Sequence, residues 1–549
     1  MEEIKNGSNK PVNSLSVKER IDLPLAGVSV AILFAFVALM AIRPQQTLEG
    51  VSNVFWTVIE VTGPILLVFT FATLCISIYL GVSKYGNIRF GDEAPDFSLF
   101  SYIAMMTLAA LASAALYWSF TEWAFYFKNP GLGMEPESVQ ALESSLGYSL
   151  FHWGISGQCV YVVLGAAFAY AFYNRKVAGL QTSTVCLAML GGEPTAGKQL
   201  LGKVIDFIVI FGIVGGLGST LGLAVPLAGG GLTHLFGIEI TPIIQIAIIV
   251  VIALVFTFTS FIGLNKGMQR ISNGSATLCI IFLIFVFIAG PTTFIMKNTV
   301  SSFGWMIYLF PRMSLFTDPI TQSGFAESWT MFFQAFYLNY GAMMGIFIAR
   351  ISKGRTMRQL VWATLIGVSA GGWFLFCIDG GFAIFSQING VADIVTLVNS
   401  GVGQAGVYQV VSTLPLGSVV LPIVLLLMVV GFVASSLDGA SYSLAQTTTL
   451  KVEANGEVNR WLRVFWCFML ALTPLSILVS GGEFDILKNI SILVSIPFMV
   501  VVIFMTIRLL QWMSEDCKAG KLEKYGITYF EYKCDGELTE EATAEQAEA

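Results

Sequence analysis

The sequence predicts an all-α integral membrane protein, and three observations carry that prediction. Its 549 residues are 55% hydrophobic and 12% charged, with a mean hydropathy of +0.76, whereas charged residues approach a quarter of a water-soluble domain. The apolar runs are about 20 residues or longer, enough to cross roughly 30 Å of hydrocarbon as helices. They lack the short alternation of a membrane β-barrel.

Taken in order, the runs give twelve transmembrane helices at 24–42, 54–82, 98–127, 147–173, 204–226, 239–263, 269–291, 329–351, 358–386, 415–448, 459–480 and 488–511. The first follows a polar leader and precedes eleven others, so it reads as a span and not as a cleaved signal peptide. Segments 177–202 and 300–313 are too polar or too short to span and are expected as interfacial helices. The triplet Gly229–Gly231 reads as a flexible turn after the fifth span.

Lys and Arg set the orientation. With the N-terminus in the cytoplasm, the inner loops hold Lys84, Arg89, Arg175, Lys176, Lys198, Lys203, Lys266, Arg270, Arg350, Lys353, Arg355, Arg358, Lys451, Arg460 and Arg463. The outer loops hold only Arg43, Lys128, Lys297, Arg312 and Lys488. That asymmetry places both termini in the cytoplasm and the chain in the plasma (inner) membrane as a multi-pass protein.

The eight cysteines show no pairing pattern: Cys75, Cys159, Cys186, Cys279, Cys377 and Cys467 lie in or beside spans, Cys517 and Cys534 in the tail, and reduced thiols are expected. From Asp535 the tail carries Glu537, Glu540, Glu541, Glu545 and Glu548 with no basic residue, which reads as a solvated segment and not as a nucleic-acid or lipid-binding arm. An enzyme is not expected. No phosphate-cradling Gly-Lys-Ser/Thr loop or strand–turn–helix nucleophile motif occurs, and His152 and His234 are too few for a histidine metal cluster.

The most informative stretch is the eighth span with its basic end, from Ser328 to Leu360. Phe336, Tyr337 and Tyr340 sit at its middle, Asn339 and Gly341 are expected to interrupt the helix there, and Arg350, Lys353, Arg355 and Arg358 follow. Phe336 and Tyr340, four apart, share one face. Ring quadrupoles attract positive charge most where water is excluded, so aromatic faces beside a weak point in a helix suit capture of an organic cation. Intramembrane Glu60, Glu122, Asp206 and Asp438 either line a functional path or bond to a neighbouring helix, with Glu122 close to the small-residue run Ala112–Ala115. Ser435 and Ser436 either pack helices closely or offer oxygens to an alkali ion.

Several motifs in order resemble the betaine/choline/carnitine transporter (BCCT) family over nearly all the spans. They are Asp96-Phe97-Ser98, SLFHWG from Ser149, GSTLGLAVP from Gly218, GLNKGMQ from Gly263, PRMSLFTDP from Pro311 and IARISKGRT from Ile348. The resemblance implies two inverted five-helix repeats (LeuT-like) preceded by two extra helices, working by alternating access as a homotrimer. It divides the chain into an N-terminal tail (1–22), the extra helices (23–97), a first repeat (98–291), a connecting segment (292–328), a second repeat (329–512) and an acidic C-terminal tail (513–549).

The family's substrate cage carries over to Phe125, Trp153, Phe336 and Tyr340, with Tyr337 beside them and Met344 a turn further along. The eighth span departs from the family's tryptophan-rich pattern by reading FFQAFY from Phe332, and each Trp-to-Phe change weakens the cation attraction by about 1 kcal/mol. Sodium-driven members carry a tenth-span hydroxyl pair, here Ser435 and Ser436, and no arginine facing it. Without a gap the arginine position falls on Gln269, with Arg270 one residue on. Ser219 and Thr220 match a second sodium position. The expectation is a sodium-coupled importer of a small onium compound such as glycine betaine, carnitine or choline, with no cofactor beyond the sodium ion. The alternatives are a sodium-independent exchanger of carnitine/γ-butyrobetaine type, with Arg270 at the ion site, and a non-transporting receptor for the same ligands.

Overall fold

The computed structural model describes residues 21–111, 114–179, 181–262, 267–450, 458–480 and 484–528, with the backbone alone at 253, 256–262, 267–273, 478, 479 and 484. Among these residues nine helices are long and apolar enough to cross a bilayer, or eleven if each of two bent pairs is one span. The architecture is all-helical, as expected. The full count of twelve rests on the sequence, because the helix matching the sixth span is described with side chains over only part of its length. Lys451, Cys534, the acidic tail from Asp535, and Gly263 to Lys266 lie outside the described residues.

Helices α1 (Leu23–Ile42) and α2 (Pro44–Val82) form the two additional spans. Asp22 caps α1 by accepting from the Leu25 amide at 3.2 Å. Large apolar side chains such as Val28, Phe34, Val61 and Val68 stand exposed along both, an arrangement stable only against lipid tails.

The third span is α3 (Leu99–Ala110) plus α4 (Ala114–Lys128), whose axes differ by 70°. Ala112 and Ser113 of the small-residue run lie outside the described residues. The fourth span breaks at Trp153–Gly154, between α5 (Val139–His152) and α6 (Ile155–Ala169). Gly154 lacks a side chain that would strike the Trp373 indole, which donates to Leu150 O at 2.8 Å.

A short helix α7 (Thr182–Leu190) precedes α8 (Ala196–Phe236), followed by α9 (Pro242–Ile262), α10 (Gly267–Ala289) and α11 (Thr292–Ser314). The last turns 108° away from α10 after Pro291, an angle suited to the interfacial piece expected there. Gly229–Gly231 is not a turn. It belongs to α8, where the missing side chains admit Ile240, Gln404 and Tyr408 at van der Waals range or closer.

The second half comprises a π turn (Ala326–Thr330) leading into α12 (Met331–Ile351), then α13 (Met357–Trp362), a π segment (Ala363–Val368) and α14 (Ser369–Ile388). Short helices α15 (Ile394–Asn399) and α16 (Gly403–Ser412), unforeseen in the sequence, precede α17 (Val420–Thr447), α18 (Arg460–Val479) and α19 (Phe484–Lys518). The break expected at Asn339–Gly341 is absent, and α12 runs through it. Asn339 Nδ2 bonds across to Ser491 O and Oγ of α19 at 2.8 Å each instead of competing with its own backbone. Gly341 serves close packing against Leu164 and Phe498.

The packing repeats under exchange of the two halves. α6 lies on α12 as α14 lies on α4; α8 meets α19 and α18 as α17 meets α10 and α9. One relation fails: α12 also lies against α8 and α19, whereas among the described residues α3 and α4 make no comparable surface on α17 or α10.

Candidate functional site

Five rings from three stretches of chain close on one point. Trp118 of α4, Trp153 at the α5–α6 junction, and Phe332, Phe333 and Phe336 of α12 line a slot floored by Ala114, Ser219 and Leu223. The interatomic space is about 200 Å3 and is nowhere wide enough to seat a water molecule. Ring centroids lie 6.0 Å apart for Trp118–Phe333, 5.5 Å for Trp153–Phe333 and 6.2 Å for Trp153–Phe336. Parting them exposes π faces in a dry surrounding, where a cation gains up to about 2 kcal/mol per face.

Helix breaks and buried polar groups fix the walls. Trp153 leaves the helical ladder at the end of α5, and its indole Nε1 donates to Glu122 Oε2 at 2.7 Å. Glu122 is wholly buried, and Tyr126 Oη donates to its Oε1, also at 2.7 Å. Tyr126 Oη also lies 2.8 Å from His152 Nδ1, and His152 Nε2 lies 3.1 Å from Thr330 Oγ1. Tyr126 has one hydroxyl proton. When it donates to Glu122, a neutral His152 donates to it from Nδ1 and accepts from Thr330 at Nε2, which satisfies every atom in the chain. The His152 ring stacks on Phe333 at 4.8 Å and 19°. One buried network thus orients two slot walls, Trp153 and Phe333, with a carboxylate behind the first.

Of the cage residues expected, Trp153 and Phe336 line the slot. Tyr340 extends the Phe336 face, its ring 4.8 Å away and its hydroxyl 3.0 Å from Thr220 Oγ1. Phe125 lies one layer beyond, against Trp118 at 5.7 Å and Trp329 at 4.9 Å. Tyr337 turns to α6, filling the space over Gly157 and packing on Tyr161 at 5.3 Å. Met344 is buried two turns past Phe336 and is not a slot wall. Ser219 lines the slot while its hydroxyl donates to Gly216 O at 2.7 Å.

Ser435 and Ser436 are half-buried on α17, and their hydroxyls donate to Gly431 O and Phe432 O at 3.0 Å each. That commits their protons to the helix backbone. The side chains of Gln269 and Arg270 lie outside the described residues. Among the other intramembrane carboxylates, Asp206 accepts from the Ser183 amide and hydroxyl at 3.2 and 2.6 Å, Asp438 pairs with buried Arg463, and Glu60 is exposed on α2.

Sequence reading passed over Trp118, Phe332, Phe333, Trp329 and the Glu122–His152 link. The spacing that singles out Phe336 and Tyr340 also reaches Phe332, four residues before Phe336, and Phe333, three before. Trp118 stands seven residues before Phe125, on the same helix face.

Residues 24–518 match the profile of the betaine/carnitine/choline family transporters. A carnitine transporter of Acinetobacter baumannii is 33% identical over 506 residues, covering 92% of this chain and 91% of that protein. The uncharacterized transporter YeaV of Escherichia coli K12 is 35% identical over 439 residues, covering 80% and 90%. Among solved structures, a Na+-coupled sialic acid symporter in a substrate-bound outward-open state aligns with a TM-score of 0.33 and 14% identity, over 78% of this chain and 82% of that one.

Proposed function

The chain belongs to the betaine/carnitine/choline family of transporters, and from that premise we propose that it imports a small compound with a methylated onium head by alternating access. The single observation that carries this reading is the convergence of Trp118, Trp153 and Phe336 from three helical segments on one dry slot. A tetrahedral onium group has no N–H to donate and is bound by π faces instead of hydrogen bonds. Glu122 on the indole nitrogen strengthens this, since a carboxylate accepting from Trp153 enriches the ring electron density that faces the guest.

Coupling to sodium is the second part of the proposal. Ser435 and Ser436 hold oxygens at mid-helix on α17, and sodium there would favour the binding-competent state, so an inward gradient drives uptake. The weak seating of α3 and α4 on α17 supports a helix that changes its packing during the cycle. With both termini in the cytoplasm, the slot opens alternately to either side, and the assembly is taken as a homotrimer in the plasma membrane.

Purified protein in liposomes tests the reading. Uptake of labelled glycine betaine, carnitine or choline is expected under an inward sodium gradient and is expected to collapse when potassium replaces sodium. Uptake indifferent to that exchange but dependent on internal substrate points to the exchanger. Binding of an onium compound without flux points to a receptor.

A further inference from the structure

Lys488 stands one ring away from the slot. Its side chain is 6% exposed, its Nζ lies 4.2 Å above the Trp329 ring and 6.0 Å from that of Phe332, and Phe332 is itself a slot wall. Trp329 in turn packs edge-on against Trp118 at 5.6 Å. A buried ammonium requires counter-charge, because desolvation costs several kcal/mol per ion in a protein interior. Asp485 Oδ1 supplies it at 2.7 Å, with Ser328 O at 3.4 Å. Yet the Asp485 side chain is 68% exposed. Water competes for that carboxylate, so the pair is weak and its anionic member exchangeable.

Resting on the onium reading above, we propose that Lys488 is a carboxylate subsite: the ammonium that Asp485 now holds receives the anionic end of a guest whose onium end occupies the slot. The direction of the guest follows from the charges. Glu122 behind Trp153 repels a carboxylate from that wall, while Lys488 beyond Phe332 attracts it, so the field across the slot runs from one buried charge to the other. Asp485 then acts as an intramolecular competitor, displaced when a zwitterion binds and left in place by a simple cation. A cation without a carboxylate gains nothing from Lys488 and is repelled by its like charge.

Affinities of the full-length purified protein for glycine betaine, carnitine and choline, which share the trimethylammonium head, decide the matter. Lys488→Met is expected to lower glycine betaine and carnitine affinity about tenfold or more, the loss of one charge-assisted bond, while choline binding stays level or improves. Lys488→Arg is expected to retain the preference. Asp485→Asn, which keeps the side-chain shape but removes the competing charge, is expected to tighten zwitterion binding a few-fold without moving choline, with folding checked by its melting temperature. Unchanged zwitterion-to-choline ratios in both Lys488→Met and Asp485→Asn overturn the subsite. If Lys488→Met does not fold, the Asp485→Asn ratio alone decides. If none of the three compounds binds the wild-type protein, the onium reading fails first and takes the subsite with it.

Discussion

The helices that open the two halves of the molecule, α3 and α12, are built on opposite plans. In α3 only Tyr102 and Met106 of 12 residues are buried, and the axis swings 70° before α4. In α12, 16 of 21 residues are buried, and the helix is pinned by Asn339 to α19 and by Tyr340 to α8. α4 and α12 supply walls to the same slot, and α3 supplies none. Few contacts mean low local stability, and moving elements are drawn from that end of the scale. The slot is therefore bordered by two well-buried helices, α4 with 12 of 15 residues buried and α12, while the loosely seated α3 lies on the far side of the 70° bend.

The largest effect expected is at the junction that holds the fixed wall. A side chain at Gly157 would overlap the Tyr337 ring at the α6–α12 contact. Overpacking of this kind costs about 1–3 kcal/mol and more against a rigid ring. Gly157→Val should sharply lower folded yield and melting temperature in detergent and abolish uptake. Phe100→Ala on α3, at 83% exposure, should change stability by less than about 0.5 kcal/mol. Equal losses in the two variants would erase the contrast between the helices.

An intermediate effect is expected at Glu122 of α4. Glu122→Ala leaves the Trp153 indole and the Tyr126 hydroxyl without their acceptor, at about 1–3 kcal/mol for each stranded donor. Onium affinity should fall about tenfold, read from the ligand-induced rise in melting temperature. Glu122→Gln keeps an acceptor and should recover most of the stability but not the full affinity, since the charge behind the ring is gone. If both variants bind as the wild type does, the carboxylate has no part in the site.

The smallest and most discriminating effect is one of rate. With reactive native thiols replaced, Phe100→Cys on α3 should react with a membrane-impermeant thiol reagent at a rate that changes a few-fold on adding sodium and substrate. A cysteine at Ala335, fully buried on α12, should stay unreactive in both conditions. Ligand-dependent labelling at Ala335→Cys and constant labelling at Phe100→Cys would reverse the assignment of the two helices.

The spans were legible because composition and run length bound them tightly, and so were Trp153 and Phe336. Local punctuation misled at two places. Asn339–Gly341 and Gly229–Gly231 look like helix breakers, but their small or polar character answers neighbours distant in sequence, Ser491 and Leu164 for the first and Tyr408 for the second. The discontinuities at Trp153–Gly154 and in the π turns Ala326–Thr330 and Ala363–Val368 carry weak local signals because tertiary packing produces them. Lys488 reads in sequence as one of the few outer-loop cations, and only its stacking on Trp329 shows a charge drawn into the protein.

The closed slot also has an electrical consequence. A membrane voltage is worth about 2.3 kcal/mol per elementary charge for each 100 mV, and any thread of solvent through the middle of the chain would let protons and small ions discharge it. At the slot the rings leave no room for a water, so no such thread passes between them.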